Sequence, residues 1–158
     1  MKRRDLIAKF STGASSGKGF DGRDVMGKTL YLITVNGIPK AQPRPRMTKT
    51  GHVYTPDSAK AWKEQIIAEF LLHRKPIIDK PVKLVVDFFF PFPKSVKNPQ
   101  GYVPHAIKPD SDNLLKVVMD AATAANVWID DSQVYYSHAE KWFYAGASGV
   151  TIKIEVGR

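Results

Sequence analysis

The segment from Val82 to Phe90 constrains the fold more than any other part of the sequence. Its nine residues include only two charged side chains, Lys83 and Asp87, and the others are aliphatic or aromatic. A strand of this kind is stable where both of its faces are covered, so the segment predicts the centre of a sheet. Because 43% of the 158 residues are hydrophobic, the chain can form one ordinary domain around that strand.

Two helices are predicted from start signals and apolar spacing. Thr55, Pro56 and Asp57 offer an N-cap hydroxyl, a proline for the first helical position and an acid for the first turn. Apolar residues then recur at helical spacing to about His73. A second helix is expected from about Ser111 to Ala125, again with apolar residues along one side.

The remaining regular segments are predicted to be strands. Strand-forming residues occupy 30–35 before an Asn-Gly turn, and residues 133–144 and 150–156 are expected to form a final hairpin. Residues 91–109 contain five prolines and no periodic pattern, which is typical of a functional or mobile connection. Since strands and helices mix without strict alternation, the predicted class is α+β, a mixed sheet with two main helices.

The first 28 residues differ in composition from the rest of the chain. Glycine and serine are interspersed there with basic residues, which leaves little apolar surface to bury. We therefore expect a flexible basic arm over residues 1–28 and a folded domain over residues 29–158.

Charge and cysteine usage limit the function classes. The net charge of +9 favours a polyanionic partner, either nucleic acid or an anionic membrane face. The absence of cysteine excludes disulfides, thiolate metal sites and a cysteine nucleophile. No uncharged apolar run approaches the ~18 residues of a membrane span, so we expect a cytoplasmic protein without a membrane partner.

Acidic residues are concentrated in one part of this basic chain. Five of the fifteen lie within 22 residues, namely Asp110, Asp112, Asp120, Asp130 and Asp131. Carboxylates crowded together repel one another, whereas Mg²⁺ prefers oxygen ligands and offsets that repulsion. The alternative is that Asp110 or Asp112 caps the second helix and that Asp130 and Asp131 form a solvated turn. The spacing alone does not show that the two groups of acids meet.

The sequence around these acids is specific enough to be compared with known families. Residues 108–121 are K-P-D-S-D-N-L-L-K-V-V-M-D-A, and residues 127–134 are V-W-I-D-D-S-Q-V. Together they closely resemble the signature of RusA-type Holliday junction resolvases, small endodeoxyribonucleases common in bacteria and prophages. The resemblance extends over about residues 30–156 and includes the Pro/Arg-rich segment at 42–46.

The resemblance implies an activity and a set of site residues. It implies a homodimer that binds four-way junction DNA and nicks two strands symmetrically, with Mg²⁺ or alternatively Mn²⁺ as the cofactor, in DNA recombination and repair. The three catalytic, metal-holding acids of the family fall on Asp110, Asp112 and Asp131, and its essential lysine falls on Lys116. Asp130 matches the acid beside the third one and is expected to support it.

Basic residues in two proline-rich stretches are predicted to contact DNA phosphates. They lie within residues 38–49 and on the long connection, where the alternative is an ordinary solvated loop. An exposed aromatic, Phe92 or Tyr102, is a candidate wedge between base pairs, with loop packing as the alternative. The predicted contact residues are Lys40, Arg44, Arg46, Lys49, Lys94, Lys97 and Lys108.

Two other functions stay open on the sequence alone. One is a non-catalytic protein that binds branched DNA, and the other is a related metal nuclease that acts on flaps or duplex. The four histidines show no metal-ligand spacing, so ordinary surface positions are expected for them.

Overall fold

A computed structural model describes residues 27–54, 56 and 58–157. Residues 1–26 of the predicted arm lie outside the described residues, and Lys28 already belongs to the first strand. The helices are α1 (Lys60–Leu72) and α2 (Ser111–Ala124), and a short 3₁₀ helix covers Asp131–Gln133. The strands are β1 (Lys28–Asn36), β2 (Arg46–Met47), β3 (Val53–Tyr54), β4 (Val82–Pro91), β5 (Tyr102–Pro104), β6 (Val134–Tyr144) and β7 (Gly149–Val156).

The main sheet has five strands in the order β1-β7-β4-β6-β5. β4 is its central strand, as its apolar sequence predicts, and it pairs parallel to β6 and antiparallel to β7. β2 and β3 form a separate two-stranded ribbon. The mixed sheet and the two helices confirm the predicted α+β class.

The predicted final hairpin of β6 and β7 is wrong, because β4 lies between these two strands. The burial of the strands gives the physical reason. Residues 82–90 of β4 are buried or half-buried throughout, whereas β6 is exposed from Tyr135 to His138. The strand that is apolar on both faces therefore takes the central position, and its two neighbours cover its edges.

Two further boundaries differ from the sequence prediction. Helix α1 begins at Lys60, with Ala59 at the N-cap position and no side-chain cap, while Thr55 and Asp57 lie outside the described residues. The first buried residue of this region is Ala59, so packing of the apolar face determines the start of the helix. The long connection is not irregular throughout either, since β5 pairs with the end of β6.

One apolar core joins both helices to one face of the sheet. Alternate β4 residues such as Leu84 and Val86 pair in register with Ile154 and Ile152 of β7, and all four side chains are fully buried. The helices add side chains to the same cluster: Trp62, Ile66 and Phe70 of α1, and Leu114, Val117, Val118, Ala121 and Ala122 of α2.

The chain that follows α2 turns back and is held against the helix. This determines the position of Asp130 and Asp131. Trp128 is buried, and its Nε1 donates a hydrogen bond to Thr123 Oγ1 at 2.8 Å. Ile78 forms a parallel bridge with Trp128, and its N–H donates to the carbonyl of Val127 at 2.9 Å. These contacts place the turn at 129–133 beside the middle of α2.

Within the described part of the chain, no helix combines the length and the apolarity that crossing a membrane requires.

Candidate active site

Asp110 occupies the N-cap position of α2, but its side chain does not cap the helix. Its backbone is extended, and its carbonyl accepts the first helical hydrogen bond from Leu114 N at 3.2 Å. Its carboxylate Oδ2 instead lies 3.5 Å from Arg44 Nη2 in the Pro/Arg-rich segment. The capping interpretation is therefore wrong for the Asp110 side chain, which is exposed and faces a basic loop.

Asp112 lies in the first turn of α2, where the helix dipole stabilises a negative charge. Its side chain is exposed, and Oδ1 accepts a hydrogen bond from Asn113 N at 2.8 Å. The Asn113 carbonyl accepts a hydrogen bond from Gln42 N at 3.0 Å, which attaches the Pro/Arg-rich segment to the same end of the helix.

Lys116 connects the two groups of acids. Its Nζ lies 2.9 Å from Asp120 Oδ1, one helical turn further on, and 3.5 Å from Asp131 Oδ2. The hydrogen bond to Asp120, together with the charges of Asp120 and Asp131, raises the pKa of Lys116 above its ordinary value. The ammonium is thus in contact with a carboxylate that lies fifteen residues away in the sequence.

The turn that carries Asp131 is organised by its neighbours. Asp130 Oδ1 accepts a hydrogen bond from Ser132 N at 2.8 Å, so Asp130 is the cap of the 3₁₀ helix. Hydrogen bonds from the Ser132 side chain and backbone lower the pKa of Asp130 from its ordinary value. Asp130 thus caps the 3₁₀ helix, a role not predicted for it, while the Asp131 carboxylate faces Lys116.

Gln133 holds this turn with all of its amide hydrogen-bonding groups, a role that the sequence reasoning missed. Its Oε1 accepts from the N–H groups of Ile129 at 2.7 Å and Asp130 at 3.0 Å. Its Nε2 donates to the carbonyls of Ile78 at 3.0 Å and Lys80 at 3.1 Å. The signal in the sequence was the Asp-x-x-Gln spacing of a capping box.

The segment before Asp110 is held by Lys141 of β6, which the sequence reasoning also missed. Lys141 Nζ donates to the carbonyls of Ile107 and Pro109, each at 2.7 Å, and the peptide bond between Lys108 and Pro109 is cis. No sequence signal identifies this lysine, because its two partners are backbone atoms more than thirty residues away.

The expectation that all four histidines lie at the surface is wrong for His105. It is buried, and its ring packs 4.3 Å from both Phe90 and Phe143, measured between ring centroids. Burial and the nearby charge of Lys141 lower the pKa of His105 from its ordinary value. His105 is therefore a neutral, buried side chain that packs five residues before Asp110.

The predicted DNA contacts are all exposed, but only some of them lie next to the acids. Arg44 pairs with Asp110, and Lys108 precedes it by two residues. Of the candidate wedges, Phe92 stacks on Phe143 at 5.7 Å, and the Tyr102 ring meets Trp142 edge-on at 5.2 Å, so both pack against β6. The seven predicted contact residues, all exposed, are Lys40, Arg44, Arg46, Lys49, Lys94, Lys97 and Lys108.

The donor chemistry of the site suits a hard divalent cation, because carboxylate oxygens are the ligands that Mg²⁺ prefers. The acidic side chains, however, lie further apart than the ligands of one metal ion do. Across residues 27–54, 56 and 58–157, no three His, Asp or Glu side chains lie close enough together to hold a metal ion. Lys116 contacts Asp131 and Arg44 contacts Asp110, so each of these two carboxylates has a cationic partner.

Comparison with known proteins gives one family and one curated relative. The family model of the endodeoxyribonuclease RusA matches residues 36–155, a stretch that contains the five clustered acids at 110–131 and Lys116. A Bacillus subtilis (strain 168) protein, YqaN, described as uncharacterized, is 36% identical over 134 residues. That similarity covers 77% of this chain and 93% of the relative.

Proposed function

Since the chain belongs to the RusA endodeoxyribonuclease family, we propose that it is a structure-selective nuclease that resolves Holliday junctions. It hydrolyses phosphodiester bonds with the help of a divalent metal, Mg²⁺ or alternatively Mn²⁺. Symmetric cleavage of a four-way junction needs two matching sites, so the working form in this proposal is a homodimer, acting in the cytoplasm in DNA recombination and repair.

The observation that carries the proposal is the contact between Lys116 and Asp131. Asp131 lies on a turn beyond the end of α2, yet its Oδ2 is 3.5 Å from the Lys116 ammonium in the first half of the helix. Because Asp110 and Asp112 lie at the start of the same helix, this contact supports one surface that carries both groups of acids.

In the proposed reaction, Asp110, Asp112 and Asp131 hold the metal. The bound cation would supply Lewis-acid polarisation of the phosphodiester and a water molecule of lowered pKa. Since no three acids converge among the described residues, these carboxylates would have to approach one another to hold it together.

The chain's own cations have separate roles in this proposal. Lys116, which contacts Asp120 one helical turn further on, neutralises charge that develops on the phosphate during cleavage. The exposed basic residues around the acids, Arg44 and Lys108 among them, bind neighbouring phosphates. Each phosphate so neutralised makes junction binding more sensitive to salt.

Replacing Asp112 with asparagine tests the proposal. Asp112→Asn removes one ligand charge from an exposed side chain, so we expect an intact fold and junction binding that is retained or tightened. Cleavage of a synthetic four-way junction in Mg²⁺ is expected to be lost. Glu64→Gln is a matched control, because Glu64 is an exposed carboxylate on α1 away from the acids. Cleavage by Asp112→Asn at the rate of the unsubstituted protein would refute the site.

One observation favours a second candidate, a non-catalytic protein that binds branched DNA. Among the described residues no three acids form a ready metal site. The same assay separates the candidates, because that protein would bind the junction without nicking it at any Mg²⁺ or Mn²⁺ concentration. A nuclease for flaps or duplex would cut those substrates in preference to the four-way junction.

A further inference from the structure

We propose that Lys141 is a positioning residue for Asp110, which it fixes through the backbone of the preceding segment. The inference rests on the proposed function, since it concerns one of the carboxylates assigned to metal. It assigns a role to a lysine on a strand far from the acid-rich sequence, outside the set of residues proposed to bind DNA.

The position of Lys141 in the sheet directs its side chain toward the start of α2. Lys141 pairs in register with Phe88 of β4, and Phe88 is fully buried in the core that the sheet shares with both helices. Directly opposite residues on neighbouring strands project to the same face, so Lys141 lies on the helix side of the sheet. Its ammonium ends between the Ile107 and Pro109 carbonyls, at 2.7 Å from each oxygen.

These two hydrogen bonds restrain the peptide next to the proposed ligand. The Pro109 carbonyl belongs to the peptide unit that continues directly into Asp110, so holding this oxygen orients the Asp110 backbone. Bonds from an ammonium to carbonyl oxygens are charge-assisted and shorter than neutral ones. The Lys141 carbonyl also accepts a hydrogen bond from His105 N at 3.0 Å. Lys141 thus holds residues 105–109 at both ends, through His105 and through Pro109.

Asp110 depends on this restraint because little else holds its carboxylate. The side chain forms no cap hydrogen bond, and its contact with Arg44 is a 3.5 Å ion pair between two exposed groups. Exposed pairs of this kind contribute little to holding a side chain in one position. The direction of the Asp110 side chain is therefore determined mainly by its backbone, and Lys141 fixes the residue just before it.

Lys141→Met is the informative substitution, because methionine keeps an unbranched stem and removes all three donors. Loss of a residue that orients a metal ligand typically lowers metal affinity or activity by about 10- to 100-fold. We expect Lys141→Met to bind Mn²⁺ that much more weakly in calorimetric titration without DNA, and to cleave the junction more slowly at fixed Mg²⁺. Junction binding without metal should stay within about twofold of the original, since Lys141 is not among the proposed phosphate contacts.

Two further variants separate positioning from general stability. Lys141→Arg keeps charged donors of similar reach and is expected to recover most of the Mn²⁺ affinity. Lys153→Met is the matched control, since Lys153 lies on β7 and pairs with Glu155 at 2.7 Å, on the other face of the sheet. Amide hydrogen exchange should accelerate in Lys141→Met at His105 and Leu114, whose N–H groups donate to the Lys141 and Asp110 carbonyls, with β1 unchanged. If Lys141→Met does not fold, Lys141→Gln, with two neutral donors, takes its place in the same comparisons.

The outcomes distinguish this inference from the proposed function. If the unsubstituted protein cleaves junctions while Lys141→Met binds Mn²⁺ and cleaves equally well, the positioning role is refuted and the function stands. If the unsubstituted protein neither binds Mn²⁺ nor cleaves DNA, the proposed function fails and the inference fails with it. The positioning role of Lys141 is supported if Lys141→Met binds Mn²⁺ more weakly, Lys141→Arg recovers the binding and Lys153→Met binds normally.

Discussion

Replacing Gln133 with methionine tests whether the turn that carries Asp131 is held as the structure describes. Methionine has a similar length and no amide, so Gln133→Met removes four hydrogen bonds at once. The bonds lost are those from the N–H groups of Ile129 and Asp130 and those to the carbonyls of Ile78 and Lys80, at 2.7 to 3.1 Å. Because the two bonds to Ile78 and Lys80 join chain segments more than fifty residues apart, their loss should be measurable as lost stability.

The expected loss of stability follows from the exposure of the freed groups. A single hydrogen bond contributes a net ~0.5–1.5 kcal/mol, so four buried bonds would contribute about 2–6 kcal/mol. Ile129, Asp130 and Lys80 are exposed residues whose backbone groups can bind water instead, whereas Ile78 is only 4% exposed. We therefore expect Gln133→Met to lower the free energy of unfolding by about 2 kcal/mol. In a domain of this size, that loss lowers the melting temperature by about 4–8 °C.

Urea and thermal unfolding followed by circular dichroism would measure this difference. Gln133→Glu keeps an acceptor for the two N–H groups but places its second carboxylate oxygen against the Ile78 and Lys80 carbonyls, so it should be no more stable than Gln133→Met at neutral pH. Gln65→Met is the control, because Gln65 is exposed on α1 and surface substitutions usually change stability by less than about 0.5 kcal/mol. A Gln133→Met protein as stable as the Gln65→Met control would show that the amide does not hold the turn.

Two further predictions concern a catalytic cation and an acid-sensitive ion pair. Lys116→Ala should fold normally and cleave junctions at least about 100-fold more slowly in single-turnover assays, because it loses a charge that acts on the transition state; near-normal turnover would exclude Lys116 from the mechanism. At Glu155, burial alone would raise the pKa, but the Lys153 hydrogen bond and the charges of Lys153 and Lys83 hold it below its ordinary value. A lowered folded pKa means that this stabilisation is complete above the unfolded pKa of about 4.3 and is lost as pH falls through the folded pKa. Stability measured between pH 6 and pH 3 should therefore fall less steeply for Glu155→Gln, and identical acid dependence would contradict the assignment.

The sequence predicted those features of the fold that follow from local burial. Val82 to Phe90 had to be central because its apolar side chains alternate onto both faces, and the structure places it there. The pairing partners were not predictable in the same way. Residues 134–144 and 150–156 are both strand-like and joined by a short connection, which is equally compatible with a hairpin and with two strands on either side of β4.

The same distinction applies to the candidate site. Asp112, Lys116 and Asp120 have i, i+4 spacing, so their common helix face could be predicted, and the 2.9 Å contact between Lys116 and Asp120 agrees with it. The contact of Lys116 with Asp131 depends on how Trp128 packs after the helix. The contacts of Lys141 could not be predicted, because its partners are backbone carbonyls. Every residue has such a carbonyl, so the sequence does not show which ones need a donor.

The ion pairs of the described residues do not oppose the proposed metal site. Arg44 and Lys116 already neutralise Asp110 and Asp131, at distances of 3.5 Å and with both partners substantially exposed. Pairs of this kind are worth ~0–1 kcal/mol each and are screened further by salt, so displacing them costs little. A divalent ion concentrates twice the charge of either side chain at one point and binds several oxygens at once. The lysine and arginine released from the carboxylates then remain beside the negative phosphates of the substrate, so a strong salt dependence of junction binding is expected.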